Sequence, residues 1–126
     1  MARTVRAALL QTDWTGDKAS MIDRHEAAVH EAAAAGAQVM CFQELFYGPY
    51  FCQVQDPSYY AYTEAIPDGP TTQRFAAIAK EVAMVLVLPM YEVVRDGLYY
   101  NTAAVIDETG TYLGKYRKKH IPRCRA

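Results

Sequence analysis

Apolar positions in this chain gather into three short blocks, at residues 5–11, 37–42 and 84–90, separated by longer stretches of different character. The first block, Val5-Arg6-Ala7-Ala8-Leu9-Leu10-Gln11, is bounded by a polar turn at 13–17 and reads as a buried strand. Residues 18–35 are rich in alanine and charged helix formers. Met21, Ile22, Val29, Ala32 and Ala33 recur there at spacings that share one helical face. Gly36 follows where a helix commonly ends in a left-handed residue. Residues 37–42 form a second buried strand, closed by Gln43-Glu44.

A second helix is expected over 71–82, capped by Thr71-Thr72 and carrying Phe75, Ile78, Ala79 and Val82 as its apolar stripe. Residues 84–90 are the third buried strand. Residues 99–107 and 111–116 flank the turn Glu108-Thr109-Gly110, and two strands so close form an antiparallel hairpin. The order β-α-β-α-β-β-β predicts an α/β fold, a mixed sheet with helices on one face, in one domain over 1–126. No internal repeat or low-complexity tract interrupts it.

Residues 45–70 break the alternation. Gly48, Pro49, Pro57, Pro67, Gly69 and Pro70 are interleaved there with Phe46, Tyr47, Tyr50, Phe51, Tyr59, Tyr60 and Tyr62. A loop this long in a compact domain is usually functional. Its aromatic content argues for order through side-chain packing, not for a disordered linker.

Composition narrows the function classes. Hydrophobic residues make up 52% and charged residues 21% of the 126, values typical of a globular protein. A formal net charge of −1 argues against a protein built to hold nucleic acid. No apolar run approaches the roughly 18–20 residues that a membrane-spanning helix needs. The N-terminal residues lack the apolar stretch of a secretory signal. Three cysteines, Cys41, Cys52 and Cys124, have no metal-like spacing and suggest a reducing, cytoplasmic setting.

Two polar positions stand where chemistry usually sits. Ligands of open α/β sheets bind beyond the carboxyl ends of the strands. Glu44 closes the second strand there, and partial desolvation would suit its carboxylate to proton transfer. An N-cap or a plain surface carboxylate is the alternative. At the end of the last strand lies Tyr116-Arg117-Lys118-Lys119-His120-Ile121-Pro122. Alternation sends Lys118 and Lys119 to opposite faces, so one lysine can enter a site as a fixed positive charge. Otherwise the run is a solvated basic patch. With Arg123 and Arg125 it could touch phosphates, but its interleaving with aromatics is too short for a nucleic-acid surface.

Phe42-Gln43-Glu44-Leu45-Phe46 and Lys115-Tyr116-Arg117-Lys118 resemble the glutamate and lysine motifs of the nitrilase superfamily of carbon–nitrogen hydrolases. Gly48-Pro49-Tyr50-Phe51-Cys52-Gln53, Ile66-Pro67-Asp68-Gly69-Pro70-Thr71-Thr72, Leu86-Val87-Leu88-Pro89-Met90-Tyr91-Glu92 and the stretch Tyr100-Asn101-Thr102-Ala103-Ala104-Val105-Ile106-Asp107 resemble its N-carbamoylputrescine amidase branch, near the β-ureidopropionases. The likeness runs from about residue 5 to residue 122. It implies the N-terminal portion of an αββα sandwich, and a Glu–Lys–Cys mechanism that hydrolyses a non-peptide carbon–nitrogen bond. The implied substrate is a small amide or ureido compound, a linear N-carbamoyl amine yielding amine, carbon dioxide and ammonia. The resemblance implies no metal or organic cofactor, and the full-length form is expected to be a homo-oligomer.

On that likeness Glu44 is the general base and Lys118 the oxyanion partner, with Lys119 left structural. Tyr50 and Phe51 are candidate substrate-binding residues. The family's nucleophilic cysteine follows its lysine by several tens of residues, so the chain corresponds to a hydrolase lacking its C-terminal half. Cys124 is too close to Lys118 for that role and reads as an exposed thiol, Cys41 as a small core residue. The alternative is an inactive fragment serving only as an interaction module.

Overall fold

A computed structural model describes residues 2–122; Arg123, Cys124 and Arg125, with the roles considered for them, lie outside the described residues. The expected order of elements holds. Strand β1 (Ala7–Leu9) leads to helix α1 (Lys18–Ala34), then β2 (Val39–Cys41), helix α2 (Pro70–Val82), β3 (Val85–Arg95), β4 (Leu98–Ile106) and β5 (Tyr112–Arg117). The five strands form one sheet in chain order. Strands β1, β2 and β3 run parallel, β4 runs antiparallel to β3, and β5 antiparallel to β4.

Local chemistry explains most boundaries. Asp17 caps α1 by accepting the Ser20 N–H at 2.8 Å. Gly36, at φ 83°, reverses the chain after α1, and its N–H donates to the Ala33 carbonyl at 2.9 Å. Helix α2 starts differently from the expectation. Gly69 is the N-cap and Pro70 the first helical residue, a position where proline's missing N–H costs nothing. Thr71 instead donates through its backbone N–H and hydroxyl to the buried Glu64 carboxylate, at 2.9 and 2.6 Å. Strands β1 and β2 are shorter than expected and β3 is longer. Polar Glu92 ends the apolar pattern of β3, but ion pairs bury it and the strand continues to Arg95.

One face of the sheet carries Met40, Leu86, Leu88, Met90, Ala104 and Ile106 into the core. Helices α1 and α2 cover that face with Met21, Val29, Phe75 and Ile78. The opposite face is apolar as well. The pairing register sets Leu9, Cys41, Val87 and Val105 in one row across four strands. Nothing among the described residues covers the β1 end of that row, and Leu9 is 84% exposed. At the β3–β4 end the aromatic segment folds over, bringing the Phe51 and Tyr62 rings to 6.3 and 5.8 Å from Tyr91. That segment contains two short 3-10 turns, Phe51–Gln53 and Pro57–Tyr62. Ring packing orders much of the rest, and a backbone bridge from Glu64 to β3 ties its far end to the sheet, the Glu64 N–H donating to the Tyr91 carbonyl at 2.9 Å.

Candidate active site

Glu44 follows β2 directly, and the chain turns sharply at the next residue. Leu45 takes φ 53°, a left-handed conformation unusual for a branched side chain, and is fully buried. The Phe46 N–H donates to the Pro89 carbonyl at 3.1 Å, pinning this turn to β3. A buried leucine and an anchored phenylalanine thus turn the Glu44 carboxylate outward at the sheet's end.

Lys118 arrives from the other end of the chain. Its backbone N–H extends the β4–β5 pairing by donating to the Asn101 carbonyl at 2.9 Å. Its Nζ reaches Glu44 Oε1 at 2.6 Å. The hydrogen bond it donates to Glu44 holds the Lys118 ammonium above the ordinary lysine range, with partial desolvation opposing. Glu44 and Lys118 therefore meet as expected, and Lys119 is exposed. The expected desolvation of Glu44 is not found. Its side chain is 42% exposed and that of Lys118 34%, because the pair sits at the border between the aromatic segment and the open sheet face.

The other candidates separate. Tyr50 stands beside the pair, its ring centroid 5.9 Å from Lys118 Nζ. A hydrogen bond with the Cys52 side chain holds its phenol above the usual range. Phe51 does not face the ion pair in this way. It lines a cavity of about 720 Å³ between the aromatic segment and the β3–β4 hairpin, together with Cys52, Tyr59, Tyr91, Tyr99 and Asn101. Cys41 lies in β2, where burial pushes its thiol up and its Sγ contacts the Phe42 carbonyl at 3.4 Å. It is a half-buried strand residue, in keeping with a structural part.

Three polar residues matter more than their sequence suggested. Asn101, 6% exposed on β4, donates from Nδ2 to Glu44 Oε1 at 2.6 Å. Glu92, 1% exposed on β3, receives Arg117 Nε and Nη2 at 2.9 and 2.7 Å, the Thr102 hydroxyl at 2.7 Å, and Lys115. Burial alone would raise its carboxyl, but these donors outweigh burial and hold it at about 2. Glu64 is tied to Lys18 and Thr71 beneath the aromatic segment. The sequence hid the role of Glu92, since Arg117 read as part of one basic run and Lys115 only as part of a motif. An asparagine inside a run of strand formers was the visible signal for Asn101.

Among the described residues no group of His, Cys, Asp and Glu side chains could hold a metal ion, and no helix is long and apolar enough to cross a membrane. A carboxylate paired with a cation at strand ends suits proton transfer next to charge stabilisation. A family model described as carbon–nitrogen hydrolase matches residues 6–125. An N-carbamoylputrescine amidase from Solanum lycopersicum is 38% identical over 95% of this chain and 40% of its own length. A citrullinase from Francisella tularensis is 31% identical over 94% of the chain and 41% of its own length. A crystal structure of a carbon–nitrogen hydrolase from Helicobacter pylori superposes with a TM-score of 0.84 at 29% identity, over 94% of the chain and 40% of that structure. The chain thus spans about 40% of the length of these curated relatives.

Proposed function

Because the chain belongs to the carbon–nitrogen hydrolase family, we propose that it supplies the base and the oxyanion-binding cation of a nitrilase-type amidohydrolase. The observation that carries this reading is the direct contact of Glu44 and Lys118, 74 residues apart in sequence, with Glu44 bonded to Asn101, a residue of the cavity wall. The substrate class is a linear N-carbamoyl amine, in keeping with the name of the tomato relative.

In this reading Glu44 takes the proton of a cysteine thiol, and the thiolate attacks the ureido carbon. Lys118 faces the oxygen that becomes negative in the tetrahedral intermediate. Glu44 returns the proton to the departing nitrogen, releasing ammonia and leaving a carbamoyl thioester. Glu44 then takes a proton from water, which attacks that thioester and regenerates the thiol. The carbamate formed loses carbon dioxide to give the amine. One water is consumed, and amine, ammonia and carbon dioxide are produced.

The nucleophile in this reading lies outside the described residues. Cys41 is unsuited to attack by its raised thiol and its place within β2. Cys52 has no nucleophilic role in the motif that the chain resembles. The apolar face bearing Leu9 and Val87 is the surface against which the remainder of a sandwich would pack. The same open face favours the second reading, an inactive association module.

The test has two arms. The purified chain should release no ammonia from N-carbamoylputrescine, and activity abolished by Cys52→Ser would place the nucleophile inside the chain. A fusion of this chain to the remaining part of the tomato relative should be active. Its kcat should fall at least about a hundredfold with Glu44→Gln or Lys118→Met. Activity that survives Glu44→Gln would remove Glu44 from the chemistry.

A further inference from the structure

Asn101 is the one described residue bonded to both members of the Glu44–Lys118 pair. Its carbonyl accepts the Lys118 backbone N–H at 2.9 Å, and its Nδ2 donates to Glu44 Oε1 at 2.6 Å. Lys118 Nζ donates to that same oxygen, also at 2.6 Å. Both donors converge on Oε1. Among the described residues no protein donor meets Oε2.

Local preference does not explain an asparagine here. Asparagine is depleted in strand interiors, and its neighbours Thr102, Ala103 and Ala104 show what this strand ordinarily takes. A buried carboxamide also costs free energy unless its donors are met. The nearest acceptor it meets is not a backbone group but a partly exposed carboxylate from the far side of the sheet. Alternation along β4 fixes the direction. Thr102 turns to the helix side and binds Glu92, so Asn101 must turn to the other face, where Glu44 lies. The Asn101 position is itself held by pairing with Tyr91, the residue on which the aromatic segment packs.

We propose that Asn101 is a positioning residue that, with Lys118, locks one oxygen of Glu44 and so leaves the other, Oε2, as the proton acceptor. This rests on the reading of Glu44 as the base. A freely rotating glutamate would present either oxygen, and Lys118 would then bind whichever came near. With Nδ2 fixed by the strand, the carboxylate has one orientation. The arrangement also couples the cation to the base. The strand that carries the Asn101 amide to Glu44 sets, through its carbonyl, where Lys118 begins.

The experiment is side-chain nuclear magnetic resonance on this chain, following the Glu44 carboxyl carbon, the Asn101 Nδ2 protons and the Lys118 Nζ through pH titrations. In the unmodified chain the Asn101 amide protons should move with the same midpoint as the Glu44 carboxyl. In Asn101→Leu, whose size is similar but which cannot donate, the Lys118 amine should titrate lower, toward ordinary lysine, by roughly half a unit or more. If the Asn101 protons do not follow Glu44, the inference is overturned, and this holds even if the leucine variant fails to fold. An Asn101→Leu chain that folds and leaves Lys118 unchanged also overturns it. Should Lys118 of the unmodified chain titrate as an ordinary lysine, the reading of the site itself fails, and the two failures are thus told apart.

Discussion

Arg117 grips Glu92 with two parallel hydrogen bonds, Nε and Nη2 at 2.9 and 2.7 Å, on the helix side of the sheet, and the next residue, Lys118, reaches Glu44 on the other side. The planar guanidinium fits the carboxylate edge-on, and it also stacks 3.9 Å over the Tyr100 ring. Because side chains alternate, anchoring Arg117 fixes which way Lys118 can leave the strand. A buried ion cluster thus directs a half-exposed cation.

The two carboxylates should therefore differ in what they contribute to stability. Glu92→Gln leaves Arg117 and Lys115 facing an uncharged group in a buried site, and should cost about 2–4 kcal/mol. Glu44→Gln removes a pair open to solvent and should cost under about 1 kcal/mol. Urea denaturation of both variants checks this, and equal losses would contradict the assignment of Glu92 as the anchor. The difference for Glu92 should also depend on pH. Its folded carboxyl titrates at about 2, below the unfolded value, so its contribution is present above about pH 4.5 and is lost as pH falls toward 2.

His25 has a different window. It is fully buried among the Phe42 and Phe46 rings, with centroids 4.9 and 4.7 Å away, and its Nδ1 donates to the Met21 carbonyl at 2.7 Å. Burial lowers its pKa, and Nε2 has no hydrogen-bond partner among the described residues. The folded state therefore takes up this proton less readily than the unfolded chain. Stability should begin to fall as pH drops below about 6.5. Thermal melts of the chain and of His25→Phe, compared from pH 7.5 to 5.5, should converge toward the acid end. Parallel curves would mean that His25 does not titrate on unfolding.

The aromatic segment should depend on its rings and not on its amides. Phe51 packs on Tyr91 and Tyr50 lies beside Phe51 at 6.1 Å, whereas Gln53 and Gln55 are exposed. Phe51→Ala or Tyr50→Ala should speed limited proteolysis within residues 47–62 several-fold over Gln53→Ala or Gln55→Ala. Equal cleavage rates across the four variants would show that backbone turns hold the segment.

The uncovered sheet face should be adhesive. Leu9, Leu113 and Tyr116 are 84, 61 and 63% exposed, and the row through Val87 and Val105 continues between them. The chain should bind an apolar dye such as ANS and associate at micromolar concentration. Leu9→Lys should weaken both without lowering the melting temperature, because Leu9 leaves the core unchanged. A monomeric, dye-free chain would mean that this face is not sticky.

The element order and the alternation of strands and helices were legible in the sequence because they rest on local periodicity. Apolar residues repeat every two or every 3.6 positions over short distances, and Gly36, the polar turn at 13–17 and the Glu108-Thr109-Gly110 turn mark ends through local backbone preferences. The pairing of Glu44 with Lys118 was legible only through motif resemblance and strand-end position. What the sequence left open was nonlocal. It did not show that Glu92 sits in a sheet interior, since its burial depends on Lys115 and Arg117 arriving from another strand. It did not show that Thr71 serves Glu64 instead of capping its helix, nor that Glu44 stays open to solvent. Asn101 was in plain view without a role. A polar side chain is functional or merely surface according to which atoms the register brings within 3 Å, and register is decided by the whole sheet pairing at once.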